Sequence, residues 1–331
     1  MSTITIKRND NLYTVSASAG DAVDVEIPWC IDGISEVKCL TVDNVMPYLT
    51  SMEADLAMLQ WFDLLEVNGQ IRIHVPDADY FMRKWLGAQW TESSIREAQS
   101  DARLSFHGLF GPQQHGNPRD SHYDAANPGV YKSAYNSARL RLLLERAGFC
   151  HLKEVPGASG ELIMTGKKTM RRGERQIAST LSGIRPDHLN RYEFATTHLL
   201  GKSLRSVLDC ACGIGYGSHM LAQQLNIPVR AIDIDAGAIE HAKTFFHHPM
   251  VDYELADART VDLPPESIDA IISFETIEHI DFAHELLRLF ASALTQDGYF
   301  ICSTPNESVM PFSKEAFPYH LKHYTVNEFY Q

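Results

Sequence analysis

From Ser206 to Ser303 the chain alternates short apolar runs with helix-patterned stretches, and this alternation constrains its fold more than any other feature. Ser206–Cys210, Pro228–Asp233, Val251–Leu255, Ile268–Phe274 and Tyr299–Ser303 read as strands. Gly217–Gln224, Ala236–Phe246 and the amphipathic Asp281–Leu294 read as helices. Strands that are apolar nearly throughout, separated by helices, predict a parallel sheet covered on both faces. The fold class expected is therefore α/β, with a Rossmann-like, doubly wound, mostly parallel sheet. Ligands of such sheets bind at the carboxyl ends of the strands, near the point where strand order reverses.

The length of 331 residues suggests two domains. A polar, basic stretch at 167–190 separates them, with the break expected near Gly173, giving domains 1–172 and 173–331. A formal net charge of −13 argues against a broad surface tracking phosphates, so nucleic acid is an unlikely partner. The basic run Lys167, Lys168, Arg171, Arg172 and Arg175 reads as a solvated linker. The six cysteines form no C-x-x-C pair and read as reduced, buried thiols of a cytoplasmic protein. No leader-like apolar segment opens the sequence, and no apolar run reaches membrane-spanning length, so no membrane partner is expected.

Val207-Leu208-Asp209-Cys210-Ala211-Cys212-Gly213-Ile214-Gly215-Tyr216-Gly217 carries the clearest chemistry. A strand ends at Asp209 and Cys210, a Gly-x-Gly-x-Gly turn follows, and a helix begins. Glycines suit a turn that needs positive φ or lets a ligand approach the backbone. Asp233 ends the next strand, where a carboxylate can accept from both hydroxyls of a ribose. Asp257 follows the third strand, where a carboxylate can meet an adenine amino group. Each aspartate alone is as readily a turn or helix-capping residue. Their order after a glycine loop is what points to a nucleoside.

VLDCACGIGYGS, AIDIDAGAIEHAK, ADA, IDAIISFETIEHI and DGYFICSTPN together resemble the successive motifs of class I S-adenosylmethionine (SAM)-dependent methyltransferases, in particular the group that includes the ubiquinone-biosynthesis enzymes. Arg191-Tyr192-Glu193-Phe194-Ala195 and His323-Tyr324-Thr325 fit the same group, and the resemblance covers roughly residues 185–331. It implies that Gly213, Gly215 and Gly217 wrap the methionine part of SAM and that Asp209 orients the loop and the SAM amino group. It further implies that Asp233 holds the ribose and Asp257 the adenine, with Ile234, Ala258 and Phe274 completing the cofactor site. Cys210 and Cys212 take no catalytic role. A dinucleotide loop would read G-x-G-x-x-G and cradle a pyrophosphate, which this loop, following an acid, does not favour.

Methyl transfer from a sulfonium needs in-line geometry, with the acceptor atom about 3 Å from the methyl carbon. A hydroxyl acceptor gains from a base or a metal. Glu275-Thr276-Ile277-Glu278-His279 follows the fourth strand. If it opens a helix, Glu275, Glu278 and His279 share one face. The E-x-x-E-H pattern resembles the metal-binding motif of small-RNA 2′-O-methyltransferases and of ubiquinone O-methyltransferases. His320 stands where the RNA enzymes complete their site, which would make Glu275, Glu278, His279 and His320 ligands of Mg or Mn. Alternatively Glu275 and His279 are catalytic without a metal, His279 as general base. The function expected is methyl transfer from SAM to a small molecule or glycan, at oxygen. Alternatives are an RNA 2′-O-type nucleic-acid methyltransferase and a non-catalytic SAM-binding scaffold. Oligomeric state is not legible.

Residues 22–166 read as the back half of the same fold, resembling degenerate methyltransferase-like proteins, without a glycine loop and so without SAM. Leu56–Leu65 and Ala134–Gly148 are expected as helices, Ile71–Val75 as a strand, and His151–Val155 with Glu161–Gly166 as a closing hairpin. Phe106–Pro128, rich in His, Gly, Asn and Pro, is expected as a disordered surface loop, with a lid as the alternative. Leu64–Asp77 echoes Ala293–Asn306: Gly69 matches Gly298 and Pro76 matches Pro305 at one spacing, which favours duplication. The second half stops where a further helix is expected. The reading favours a truncated domain over a missing edge supplied by the first half.

Overall fold

The computed structural model describes every residue except 1–2, 10–11, 18–21, 32, 114–118, 120–128, 171–174 and 331. The chain divides into two units, Met1–Arg171 and Arg172–Gln331, and each sheet is built from strands of one unit. Gly173 lies outside the described residues, as do Arg171 and Arg172.

The first unit comprises β1 (Thr3–Asn9), β2 (Leu12–Ala17), β3 (Val23–Val25), β4 (Val37–Asp43), α1 (Ser51–Leu64), β5 (Leu65–Pro76), α2 (Ala78–Gly87), α3 (Glu92–Arg96), α4 (Asp101–Phe110), α5 (Ser137–Ala147), β6 (Phe149–Val155) and β7 (Glu161–Lys168). Its sheet runs β3-β2-β1-β4-β5-β7-β6, with β1, β4 and β5 parallel and the outer strands antiparallel. The alternation of Ile4 and Ile6 with polar neighbours, and of Tyr13 and Val15, puts those side chains in the core. Helix α1 begins earlier than Leu56 because Thr50 and Glu53 form a capping box, worth about 1 kcal/mol. It buries Trp61 and Phe62, each contributing roughly 1.5–3 kcal/mol. Helix α5 is shorter than expected, capped by Asn136 at its start and by Gly148 at φ 104° at its end.

Two expectations need correction here. Phe106–Phe110 belongs to α4, whose start Ser100 caps, rather than to a loop; residues 114–118 and 120–128 of that stretch lie outside the described residues. Lys167 and Lys168 belong to β7 rather than to a linker, and Lys168 is buried with Nζ donating to the Leu65 carbonyl at 2.7 Å.

The second unit comprises α6 (Pro186–Leu199), β8 (Val207–Cys210), α7 (Tyr216–Leu225), β9 (Val229–Asp233), α8 (Ala236–Phe245), β10 (Val251–Leu255), β11 (Ile268–Phe274), α9 (Ala283–Ala293), β12 (Leu294–Ser303) and α10 (Val326–Phe329). All strands are parallel, in the order β10-β9-β8-β11-β12. The chain moves outward from β8 to β10, then crosses to β11, so strand order reverses between β8 and β11. Alternate residues face opposite cores. Val207, Ala270 and Ile272 pack with Tyr192 of α6 and Leu221 of α7, whereas Leu208 and Ile271 pack with Leu286 and Phe290 of α9. This is the doubly wound α/β arrangement expected. No described helix is long and apolar enough to cross a membrane.

The two units repeat one backbone pattern well beyond the Gly–strand–Pro echo. Val37 pairs with Leu65 and then, after a register shift, Cys39 pairs with Gln70; Ile268 pairs with Leu294 and then Ala270 with Tyr299. In both places the helix runs straight into a strand and a tight bulge ends in glycine. A Cβ on Gly69 would stand 2.8 Å from the Glu66 carbonyl, and one on Gly298 2.9 Å from that of Thr295. After β4, Asn44 has φ 53° and its N–H donates to His74 O at 3.0 Å; after β11, Glu275 has φ 50° and donates to Ser303 O at 2.9 Å. A 3-10 turn follows each, Met46–Tyr48 and Ile277–His279. Pro47 O accepts from Lys132 N at 2.7 Å, and Glu278 O accepts from Leu321 N at 2.6 Å. Asp77 bridges Tyr135 as Asn306 bridges Tyr324, and a capped helix starts at Asn136 as at Thr325.

Candidate active site

The carboxyl ends of β8 and β11 meet at the strand-order reversal, and the predicted residues follow β8, β9, β10 and β11. Leaving β8, the chain turns through Ala211 (φ 63°), Gly213 (φ 57°) and Gly215 (φ 85°) into α7. Asp209 is fully buried and accepts from Ser218 Oγ at 2.5 Å and from the Tyr192 hydroxyl at 3.2 Å. Burial pushes its carboxyl from 3.8 up to about 7, against those two hydrogen bonds. The same burial raises the flanking thiols, Cys210 to about 12 and Cys212 well above its ordinary value. Both are thereby kept protonated and unreactive.

The three glycines serve different ends. A Cβ on Gly217 would fall within 1.9 Å of the Tyr192 ring, so this glycine lets α7 close on α6. Gly215 makes room for Ala242 and Tyr253, at 2.5 and 2.7 Å. Only Gly213 faces open space, its nearest neighbour being Arg175 Nε at 4.0 Å. Packing explains Gly215 and Gly217, whereas Gly213 is free of close packing and is favoured by its left-handed φ of 57°.

At the end of β9, Asp233 is buried and holds the loop itself: Oδ2 accepts from Gly213 N at 2.8 Å and Oδ1 from Asp235 N at 2.9 Å. Arg175 adds an ion pair at 3.5 Å and pairs with Asp235 at 2.5 Å, so this arginine does not belong to a solvated linker. Ile234, next along, is 64% exposed. Asp257 accepts from the backbone and guanidinium of Arg259, which hold its carboxyl below the usual range. Ala258 is half-buried beside it, and Phe274 packs edge-on against Tyr192 at 5.0 Å between centroids.

Beyond β11 the helix expected to align Glu275, Glu278 and His279 is only the 3-10 turn Ile277–His279. Left-handed backbone at Glu275 excludes it from that turn. Glu275 instead accepts from Ser303 Oγ at 2.6 Å and pairs with Arg191 at 3.3 Å. Glu278, His279 and His320 do converge, with one ligand atom of each lying within 4.8 Å of the others. Glu278 is fully buried; Oε2 accepts from Thr304 Oγ1 at 3.1 Å, and Oε1 has no hydrogen-bond partner among the described residues. Burial pushes its carboxyl from 4.5 up to about 7.

The hydrogen bonds select the histidine tautomers. His279 Nδ1 faces Tyr319 O at 3.1 Å and must donate to it, which leaves a lone pair on Nε2. His323 Nδ1 donates to Met310 O at 2.6 Å, so its Nε2 accepts from His320 Nδ1 at 2.7 Å. The tautomer of His320 therefore also carries its lone pair on Nε2. Two imidazoles so poised beside an orphaned buried carboxylate oxygen form a set that fits a divalent cation or a mobile proton. Sequence reasoning named His323 only within a family motif and Arg175 only as a linker charge, and gave neither a place in the site. The H-x-x-H spacing of His320 and His323 was the available signal for the first.

Residues 208–302 match the methyltransferase domain family. A Mycobacterium tuberculosis protein described as a probable S-adenosylmethionine-dependent methyltransferase is 29% identical over 126 residues, 38% of this chain and 45% of that protein. Phosphoethanolamine N-methyltransferase 1 of Arabidopsis thaliana is 32% identical over 116 residues, 33% of this chain and 24% of that enzyme. The chain thus spans less than half the length of either relative. Among solved structures, the plantazolicin methyltransferase BpumL in complex with SAH is 20% identical, with a TM-score of 0.37 over 44% of this chain and 60% of that one.

Proposed function

We propose that this chain, whose C-terminal half is a class I SAM-dependent methyltransferase domain, transfers the methyl group of SAM to an oxygen of a small-molecule or glycan acceptor. One observation carries the oxygen assignment: buried Glu278, whose Oε1 has no hydrogen-bond partner among the described residues, gathers with His279 and His320 after β11, the strand next to β8. A hydroxyl attacking the sulfonium methyl must lose its proton, and this cluster offers a base or a cation to take up the developing charge. In this reading Gly213 receives the methionine part, buried Asp209 orients the turn that meets the amino group, and Asp233 holds the ribose. Asp257 and Ala258 border the adenine, while Ile234 and Phe274 give it apolar surface. The bond from sulfur to methyl breaks as the bond from methyl to oxygen forms, releasing S-adenosylhomocysteine, and the acceptor proton leaves through His279 or Glu278.

A divalent cation is the second part of the proposal. Glu278, His279 and His320 would hold it, whereas Glu275, committed to Arg191 and Ser303, would not. Two imidazoles and one carboxylate suit Mn better than Mg. When bound, the ion would lower the acceptor hydroxyl's pKa. A nitrogen acceptor is the competing reading, favoured by the similarity to a phosphoethanolamine N-methyltransferase. The charge of −13 keeps nucleic acid the weaker alternative, and a cytoplasmic location is proposed with the small acceptor.

The test is transfer of labelled methyl from SAM to a panel of hydroxylated metabolites, glycans and amines, with and without EDTA, beside calorimetric SAM binding by wild type and Asp233→Ala. Label on hydroxyl acceptors, with binding lost in the variant, is the expected result. Label on amines alone would sink the oxygen assignment, and SAM binding without transfer would favour the scaffold.

A further inference from the structure

An amino-acid moiety entering beside Asp233 and Asp235 brings its own carboxylate toward acids, and like charges at short range repel. The structure sets a cation against this place. Arg175 Nη1 lies 2.5 Å from Asp235 Oδ2, a tight charge-assisted contact, whereas its Nη2 lies 3.5 Å from Asp233 Oδ1, at the limit of a hydrogen bond. Asp233 is already engaged by the N–H groups of Gly213 and Asp235. Arg175 is thus anchored on Asp235 and only leans on Asp233, with its Nε 4.0 Å from where a Cβ on Gly213 would stand. The backbone behind it is pinned as well. Ala178 is buried and its carbonyl accepts from His241 Nε2 at 2.8 Å, His241 being fully buried, and Ile184 is buried further along. A guanidinium can keep one nitrogen on an anchor while offering another to a second anion.

We propose that Arg175 is a cofactor-binding residue: held by Asp235, its guanidinium exchanges the long contact with Asp233 for the α-carboxylate of SAM and leaves Asp233 to the ribose. The proposal rests on the SAM reading of the site, and its test separates the two. Calorimetry would compare S-adenosylhomocysteine with 5′-methylthioadenosine, which shares the nucleoside and lacks the amino-acid carboxylate. Arg175→Ala is expected to weaken S-adenosylhomocysteine about tenfold and to leave methylthioadenosine within about twofold. Arg175→Lys should recover part of the loss. Asp235→Asn should follow Arg175→Ala, because an amide oxygen can still cap α8 through Gly237 N and Ala238 N while the ionic anchor is gone. Asp233→Ala should weaken both compounds. If Arg175→Ala binds both more tightly, the arginine merely blocks the ribose acid, and the proposal fails. It fails equally if both compounds weaken alike, which marks a structural role. Wild type that binds neither compound overturns the SAM reading and this proposal with it.

Discussion

The two units build the same strand, bulge, left-handed residue and 3-10 turn, and place different chemistry on it. The register aligning Asp209 with Ile272 aligns Thr5 with Thr41, so a neutral threonine stands where the second unit buries an acid. Asn44 takes the place of Glu275, Pro47 that of Glu278, Tyr48 that of His279 and Tyr131 that of His320. Even the ring contact is kept: Tyr48 and Tyr131 meet edge-on at 5.1 Å, as His279 and His320 do at 4.5 Å. The other half of the pattern is not repeated. β8 turns into a glycine loop and a helix, whereas β1 pairs with the antiparallel strand β2. A scaffold of this kind specifies where side chains project but not what they do, and a handful of substitutions separates a candidate active site from a packed tyrosine pair.

The largest expected effect tests that contrast directly. Glu278→Gln and His320→Ala should each lower methyl transfer by about a hundredfold or more, while Tyr131→Phe in the first unit stays within about twofold. Thermal melts would verify that each variant is folded. A comparable loss from Tyr131→Phe would mean that the units are not divided in function as argued.

Stability offers a sharper comparison. Gly217→Ala drives a methyl into the buried Tyr192 ring and should cost about 3 kcal/mol or more. Gly69→Ala and Gly298→Ala each meet a backbone carbonyl in the same bulge and should cost about 1–3 kcal/mol apiece. Denaturant titrations in which one of that pair is costly and the other silent would show that the bulges are not one device.

The smallest effect concerns pH. Between 3.8 and about 7, folded Asp209 keeps a proton that the unfolded chain has released, so stability falls as pH rises through that window. His241, pushed by burial from 6.5 down to about 4, works in the opposite sense, and its gain is complete above the unfolded value. Glu278, pushed by burial from 4.5 up to about 7, works in the same sense as Asp209, so from pH 6.5 to about 8 the two buried carboxyls share the slope, and Asp209→Asn should lose about 2 °C less in Tm than wild type over that range. Parallel melting curves for variant and wild type would remove the buried acid from the explanation.

Much of the second unit was legible, because near-continuous apolar strands admit few arrangements and because Asp209, Gly213 and Asp233 sit at turns that sequence marks. Glu278 and His279 were legible as candidates, but their geometry was not: a helix was expected, and the left-handed residue at Glu275 ends the strand differently. The packing roles of Gly215 and Gly217 were hidden because they depend on Tyr192, Ala242 and Tyr253, which are distant in sequence. Arg175 was taken for a linker charge because its polar neighbours carry no periodicity, and only tertiary pairing shows where it goes. Strands β1 and β2 escaped notice although Ile4, Ile6, Tyr13 and Val15 alternate with polar neighbours as in strands with one buried face.

Cys210 and Cys212, buried on either side of Ala211, give the glycine turn a built-in clock. A thiol kept protonated and out of solvent reacts with an alkylating reagent only while its surroundings are open, so the slow labelling rate of this pair measures how often the turn unlatches. Exposed Cys30 supplies the fast reference in the same tube. Any compound that fastens the turn should slow the pair and leave Cys30 untouched, which allows ligands to be ranked before a single acceptor is known.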